Sequence, residues 1–362
     1  MPPPARRPRF TFVDLCCGIG GNRVAMERLG GRCVYACELD PDARAVYTTH
    51  FGPTPAVAHD LLDVKALPPH DVLCAGPPCR SYSRANKGNC RTGQPAQPAP
   101  DHVSATRLWD HLLGLSTATR GALLLESTST LQTAKEATLY TALLAKVRAH
   151  AAEVHDAVLD ASEYGVPQVR KRWFCVAFKR ARTATARGPP ACPPFAFPPP
   201  NAVPTPPLAS VLSATPRATH VKPRSVTFKR SDRTYDTRAQ CIGFLDNLNT
   251  QNRRVYAADR PGPCLTTTGA LYVLARAADG GRGDSDNHKG TRKRTRTATV
   301  RLRMLSVDEL RAYMGFPADF RVPDKRVLST RLLGRAVPPP VVEAVGRCVL
   351  GRLGVEATAS KQ

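Results

Sequence analysis

The sequence predicts an α/β protein: a doubly wound, mostly parallel sheet with a second, smaller domain. Three observations predict it. Short apolar runs that read as strands alternate with helical stretches through the first half. Glu38, Asp60, Cys79 and Glu126 fall at the carboxyl ends of successive runs, the edge where open α/β sheets bind ligands. Composition then shifts near Lys179 to Pro-rich and basic chain.

Phe10–Cys16 reads as the first strand, followed by the loop Cys17-Gly18-Ile19-Gly20-Gly21 and a helix over Asn22–Leu29 that Gly30-Gly31 ends. Cys33–Glu38 is a strand and Pro41–His50 a helix. Val57–Asp60 runs to the end of a third strand, and Asp71–Gly76 is a fourth. A rigid Pro77-Pro78 turn then presents Cys79. Ser104–Ser116 is helical, Ala122–Glu126 a fifth strand and Ala134–Ala152 a helix. Ala157–Ala161 and Trp173–Phe178 form a closing pair of strands. Ala191–Pro207 is a linker or irregular surface. Thr215–Asp259 is polar and basic with no strong period, and Asp279–Thr297 is an exposed Gly-rich and basic loop. Helices return at Met304–Tyr313 and Pro338–Leu353.

The chain has 362 residues, is 42% hydrophobic and carries a net charge of +23. Such an excess of cations favours a polyanion, nucleic acid first, because each neutralised phosphate releases counterions. No apolar run is long enough to span a bilayer, and Phe10–Leu15 is too short for a secretory core, so an intracellular protein is expected. The basic run Lys289–Arg296 would suit a nuclear destination. The 12 cysteines include no C-x-x-C pair and form neither a zinc pattern nor a disulfide framework, so no metal is expected.

The Gly18-x-Gly20-Gly21 turn lets a ligand approach the backbone, and the helix it opens favours an anionic group. A dinucleotide pattern fails, because Arg23 stands where the third glycine would be. Glu38 lies where an acid commonly holds ribose hydroxyls, and Asp60 is placed to accept from an adenine amino group. A nucleoside without a pyrophosphate fits this set, as in S-adenosylmethionine. Glu126 beside a greasy strand needs a partner or a raised pKa. Strand alternation in Gln168-x-Arg170-x-Arg172 would put all three side chains on one face.

Together the motifs resemble the cytosine carbon-5 methyltransferases. The matching stretches are Phe12-Val-Asp-Leu-Cys-Cys-Gly-Ile-Gly-Gly, Gly76-Pro-Pro-Cys79, Glu126-Ser-Thr and Ala161-Ser-Glu-Tyr-Gly-Val-Pro-Gln168-Val-Arg170-Lys-Arg172. Arg260-Pro-Gly-Pro-Cys-Leu-Thr-Thr-Thr268, Met314-Gly-Phe-Pro-Ala-Asp-Phe320 and Leu333-Gly-Arg-Ala-Val-Pro-Pro-Pro340 follow in family order. The resemblance implies a Rossmann-like methyltransferase sheet over 1–178 and 328–354, a target-recognition domain over 179–327 and a tail over 355–362. It implies a catalytic set of Cys79, Glu126, Arg170 and Arg172. The cofactor set would be Asp14, Cys16, Gly18, Gly20, Gly21, Glu38, Leu39, Asp60, Leu61, Pro78 and Val337.

Double-stranded DNA is the implied partner of a monomer. The candidate contacts are Arg80, Ser83, Gln168, Arg224, Lys229, Arg230, Arg233, Arg253 and Arg254. Cys79 would add to ring carbon 6 of a flipped cytosine while Glu126 serves ring N3. Cys16, Arg80, Ser127 and Arg335 depart from the residues usual in the family. Two alternatives stand beside this reading: an RNA (tRNA) cytosine methyltransferase, and a catalytically impaired DNA-binding regulator on the same scaffold.

Overall fold

The computed structural model describes residues 8–77, 102–133, 136–179, 193–214, 221–228, 239, 241–245, 254–267, 271–274 and 296–358. The first sheet contains β1 (Phe10–Leu15), β2 (Gly31–Cys37), β3 (Val57–Ala58), β4 (His70–Ala75), β5 (Thr119–Thr128), β6 (Glu153–Asp160) and β7 (Lys171–Phe178). Their order is β3-β2-β1-β4-β5-β7-β6. β1 to β5 run parallel, and β7 lies antiparallel to both β5 and β6. The strand order reverses between β1 and β4, which opens a crevice at their carboxyl ends.

Side-chain alternation explains why both faces are covered. Phe10 and Phe12 of β1, Val72 and Cys74 of β4, and Ala122 and Leu124 of β5 pack into one core. Val13, Leu15, Leu73, Ala75, Leu123 and Leu125 pack into the opposite one. Helices α1 (Gly21–Arg28) and α7 (Pro339–Arg352) close the first face. Helices α3 (His102–Leu115) and α4 (Ala137–Ala149) close the second. Between β2 and β3, α2 (Pro41–Phe51) starts where the Asp40 side chain accepts from the Asp42 and Ala43 amides.

The segment over Ala191–Pro207 is more than linker. Phe195 is buried against the sheet, 5.3 Å from the Phe178 ring, and the Tyr164 hydroxyl donates to the Pro198 carbonyl. Its aromatic residues supply apolar area that the prolines alone do not suggest.

The basic stretch that follows is built on strands that sequence periodicity does not mark. β8 (Val221–Phe228), β9 (Cys241–Leu245), β10 (Arg254–Tyr256), β11 (Tyr272–Leu274) and β12 (Arg296–Met304) close into a barrel in the order β10-β11-β12-β8-β9. Two of these strands are only 3 residues long, too short to show alternation. β12 begins at Arg296, inside the stretch expected as a loop, and Met304 ends that strand rather than opening a helix.

Helix α5 (Val307–Tyr313) begins instead after Ser306, whose hydroxyl accepts from the Glu309 amide while the Glu309 carboxylate accepts from the Ser306 amide. A further helix, α6 (Arg326–Arg335), was absent from the sequence expectation.

Glu309 has a second task. Its carboxylate accepts from the Arg303 guanidinium of β12 and from the Ser213 amide, so it ties barrel to helix in a buried pair. Removing one member of a buried ion pair strands the other charge. Glu309→Ala is expected to lower stability by about 3–5 kcal/mol, read as a fall in the urea midpoint.

Candidate active site

The carboxyl ends of β1, β2 and β4 bring together the residues expected to hold a small cofactor. Gly18 and Gly20 both have positive φ, and a Cβ on Gly20 would collide with the Phe51 ring. A Cβ on Gly21 would collide with the Val337 carbonyl, so the turn between α6 and α7 closes against the glycine loop. Gly20 caps α1 with no side-chain hydrogen bond, which leaves the helix start suited to an anionic group. Arg23, in the third-glycine position, turns its guanidinium over the Phe51 ring at 4.4 Å and donates to Glu27.

Both oxygens of Glu38 are anchored, accepting from the Gly18 amide at 2.7 Å and the Asp40 amide at 2.8 Å. A carboxylate retains lone pairs beyond these, so Glu38 can still accept from a diol. Leu39 beside it is 58% exposed, an apolar side chain held at the lip of the crevice. Asp60 accepts from the Leu62 amide at 2.9 Å, and Leu61 is buried. Cys16 occupies a left-handed backbone position, φ 51°, and burial pushes its thiol well above the usual range.

Asp14 is fully buried. Burial pushes it up to about 7, against an opposing hydrogen bond from Asn22 at 3.0 Å. Its second oxygen has no hydrogen-bond partner among the described residues. The open space at Gly18, the anchored Glu38 and the orphaned Asp14 oxygen fit a nucleoside carrying an amino acid, as S-adenosylmethionine does.

The next part of the site lies between β4 and β5. Parallel pairing sets Ala75 beside Leu125, so Gly76 arrives beside Glu126, and a Cβ on Gly76 would stand 3.4 Å from its Oε2. Antiparallel pairing sets Glu126 opposite Phe174 and Thr128 opposite Arg172. Arg172 is therefore the diagonal neighbour of Glu126, and its Nε lies 3.3 Å from Oε1. The Glu126 side chain is 18% exposed. Burial raises its pKa above the ordinary carboxyl value, opposed by the charges of Arg172 and Arg170. Ser127 is buried on β5, opposite Trp173.

Gln168 and Arg170 precede β7, so strand alternation does not place them; the hydrogen bonds do. Gln168 is fully buried, donating to the Tyr313 carbonyl and accepting from the Leu265 amide. Arg170 is 1% exposed, and its guanidinium donates to the carbonyls of Leu265, Gly334 and Ala336 and to the Cys264 sulfur. Burial holds its pKa down at about 10, and the Arg172 charge adds to that effect. Arg170 therefore braces the end of the sheet against two later segments. Arg335 pairs with Asp40 at 2.9 Å, so this departure from the resemblance joins α6 to the cap of α2.

A model of the C-5 cytosine-specific DNA methylases matches residues 10–350. The chain belongs to this family. The type II methyltransferase M.MspI of Moraxella sp is 30% identical over 93% of this chain and 69% of its own length. M.HpaII of Haemophilus parainfluenzae is 26% identical over 97% and 92%. Among solved structures, the Dnmt2 methyltransferase of S. pombe superposes with a TM-score of 0.59 at 14% identity, over 95% of this chain and 99% of that one. A putative DNA modification methyltransferase from an E. coli prophage gives 0.56 at 17% identity, over 95% and 99%. At those identities the structural likeness speaks for the fold.

As a member of this family the enzyme is a DNA (cytosine-5)-methyltransferase. Several expected site residues fall outside the described residues: Pro78, Cys79, Arg80, Ser83, Lys229, Arg230, Arg233 and Arg253. Arg224 lies on β8, opposite Val300 of β12, and Arg254 opens β10. Gln168, expected on DNA, is instead buried between Tyr313 and Leu265. Sequence reasoning assigned no role to Cys264. Its only signal was its place in the motif Arg260-Pro-Gly-Pro-Cys-Leu. Among the described residues, no helix is long and apolar enough to cross a membrane.

Proposed function

We propose that the chain, acting as a monomer, transfers a methyl group from S-adenosylmethionine to carbon 5 of cytosine in double-stranded DNA, through a Cys79 adduct on a base turned out of the duplex. The observation that carries this reading is the Glu126–Arg172 pair beside Gly76, where β4 hands over to Pro77-Pro78-Cys79. A cytosine ring resists attack until N3 is protonated or hydrogen-bonded. Glu126 suits that task because burial keeps its proton to higher pH than an ordinary carboxyl. Arg172 fixes the carboxyl's orientation from the next strand. With N3 engaged, the Cys79 sulfur bonds to carbon 6 and carbon 5 becomes nucleophilic.

The cofactor supplies an electrophilic methyl group. The protein's part is to hold its amino-acid end at the glycine loop and α1, its ribose at Glu38, and its base near Leu39 and Asp60. Val337 would seal the loop from behind. The barrel strands β8, β10 and β12, with Arg224, Arg254 and the basic residues around them, would grip the phosphates.

The test supplies isotope-labelled S-adenosylmethionine with DNA and, separately, tRNA, then locates the product by bisulfite sequencing. Label in DNA at cytosine carbon 5 is expected. Label confined to tRNA would move the enzyme to the RNA-modifying alternative. Cofactor binding without product on any DNA would leave the regulator.

A further inference from the structure

Three carboxylates, Glu38, Asp40 and Asp42, crowd the passage from β2 into α2. The Asp40 amide donates to Glu38 Oε1 at 2.8 Å, so the backbone of Asp40 orients the acid before it. The Asp40 side chain makes separate contacts. Its Oδ1 accepts from the Asp42 and Ala43 amides and caps α2. Its Oδ2 accepts from Arg331 Nη1 at 2.6 Å and from Arg335 Nη1 at 2.9 Å, and Arg331 also pairs with Asp42. Arg331 and Arg335 stand one turn apart on α6, which brings both to the same carboxylate. Burial would raise the Asp40 carboxyl, but the hydrogen bonds of Arg331 and the Ala43 and Asp42 amides, with the Arg331 charge, hold it below the ordinary value.

Helix α6 is a fixed platform for this reach. Leu332 and Leu333 are buried in a core that also takes Ala43 and Val46 of α2. Arg170 holds the far end of α6 by donating to the Gly334 and Ala336 carbonyls. From the α2 side, Arg44 donates to the Glu38 and Leu39 carbonyls, both at 2.8 Å. Without the two α6 arginines, repulsion among three close carboxylates would act on the backbone that orients Glu38.

We propose that Arg331 and Arg335 are positioning residues for the cofactor: from α6 they lock Asp40, and through its amide they hold Glu38 in the orientation that receives the ribose diol. Arg335, which departs from the residue usual in the family, then belongs to a clamp rather than to a defect. The inference rests on reading Glu38 as the ribose-binding acid, and the test examines that reading separately.

Equilibrium binding of S-adenosylmethionine to the full chain is measured by calorimetry, without DNA or turnover, and the urea midpoint of each variant reports on folding. Glu38→Ala should weaken binding by about 10- to 100-fold, as for hydrogen bonds lost from a charged acceptor. The double variant Arg331→Gln/Arg335→Gln should weaken it by about fivefold or more, as for a network of partly exposed ion pairs. Arg335→Gln alone, which leaves Arg331 on Asp40, should give a smaller loss in the same direction with a native urea midpoint. On the Glu38→Ala background the two arginine changes should weaken binding no further, because they act through that carboxylate. Lys146→Gln, which breaks an ion pair between α4 and α3, should bind as the native chain does. Unchanged affinity in the arginine variants, or a loss repeated in full on the Glu38→Ala background, would overturn the proposal. Native affinity in Glu38→Ala would instead remove the reading of Glu38, and this inference with it.

Discussion

Cys79→Ala is expected to lower methyl transfer to DNA by on the order of 10⁴-fold or more while leaving S-adenosylmethionine binding in place. Losing a covalent nucleophile forfeits the whole sequence of steps it begins, which is why such losses are large and do not add with others. The proposed cofactor contacts lie at other strand ends: Glu38 is anchored to the Gly18 and Asp40 amides, and Val337 closes on Gly21. None of these needs a thiol after β4. The two measurements are single-turnover transfer of a labelled methyl group and equilibrium binding of the cofactor. Transfer at the native rate would remove the covalent mechanism altogether.

Glu126→Gln is expected to slow the chemical step by about 10²–10⁴-fold, the range for removing a positioned proton donor. The amide can still hydrogen-bond to ring N3 but has no proton to give. The pH profile adds a sign. Burial raises the Glu126 pKa, so the protonated form persists to higher pH than for an ordinary carboxyl and is lost as pH rises through the raised value. In the native enzyme this should produce a decline on the alkaline side of the single-turnover rate. The Gln variant should lose that decline along with most of the rate. Retention of the same alkaline limb in Glu126→Gln would assign it to another group.

The catalytic sheet was legible because its strands are buried on both faces and end in residues with few structural reasons to be there. Val72 to Ala75 and Leu123 to Leu125 carry no polar residue, and Glu126 follows directly. The Glu126–Arg172 pair was foreseeable in kind, but its geometry depends on an antiparallel register that periodicity does not specify. The barrel was not legible. Its register sets Pro223 of β8 against Arg301 of β12, and β10 and β11 have 3 residues each, so no stretch carries a readable period. Arg170 was misplaced for a related reason. It was assigned to a strand face by alternation, whereas its position is fixed by carbonyls more than ninety residues further along the chain.

The Arg170 brace also sets an order of events during synthesis. A ribosome delivers the chain from its amino end, and domains begin to fold as they emerge. The sheet has all its strands once Phe178 is made, but the acceptors for the Arg170 guanidinium lie at Leu265, Gly334 and Ala336. Until the last of these appears, that charge either stays hydrated, holding the sheet's edge open, or is buried at a cost of several kcal/mol. Val337, which seals the glycine loop, arrives immediately after Ala336. A nascent or truncated chain that stops short of this point therefore lacks both the brace and the seal. Competence to modify DNA is thereby withheld until the chain has been made at least as far as Val337.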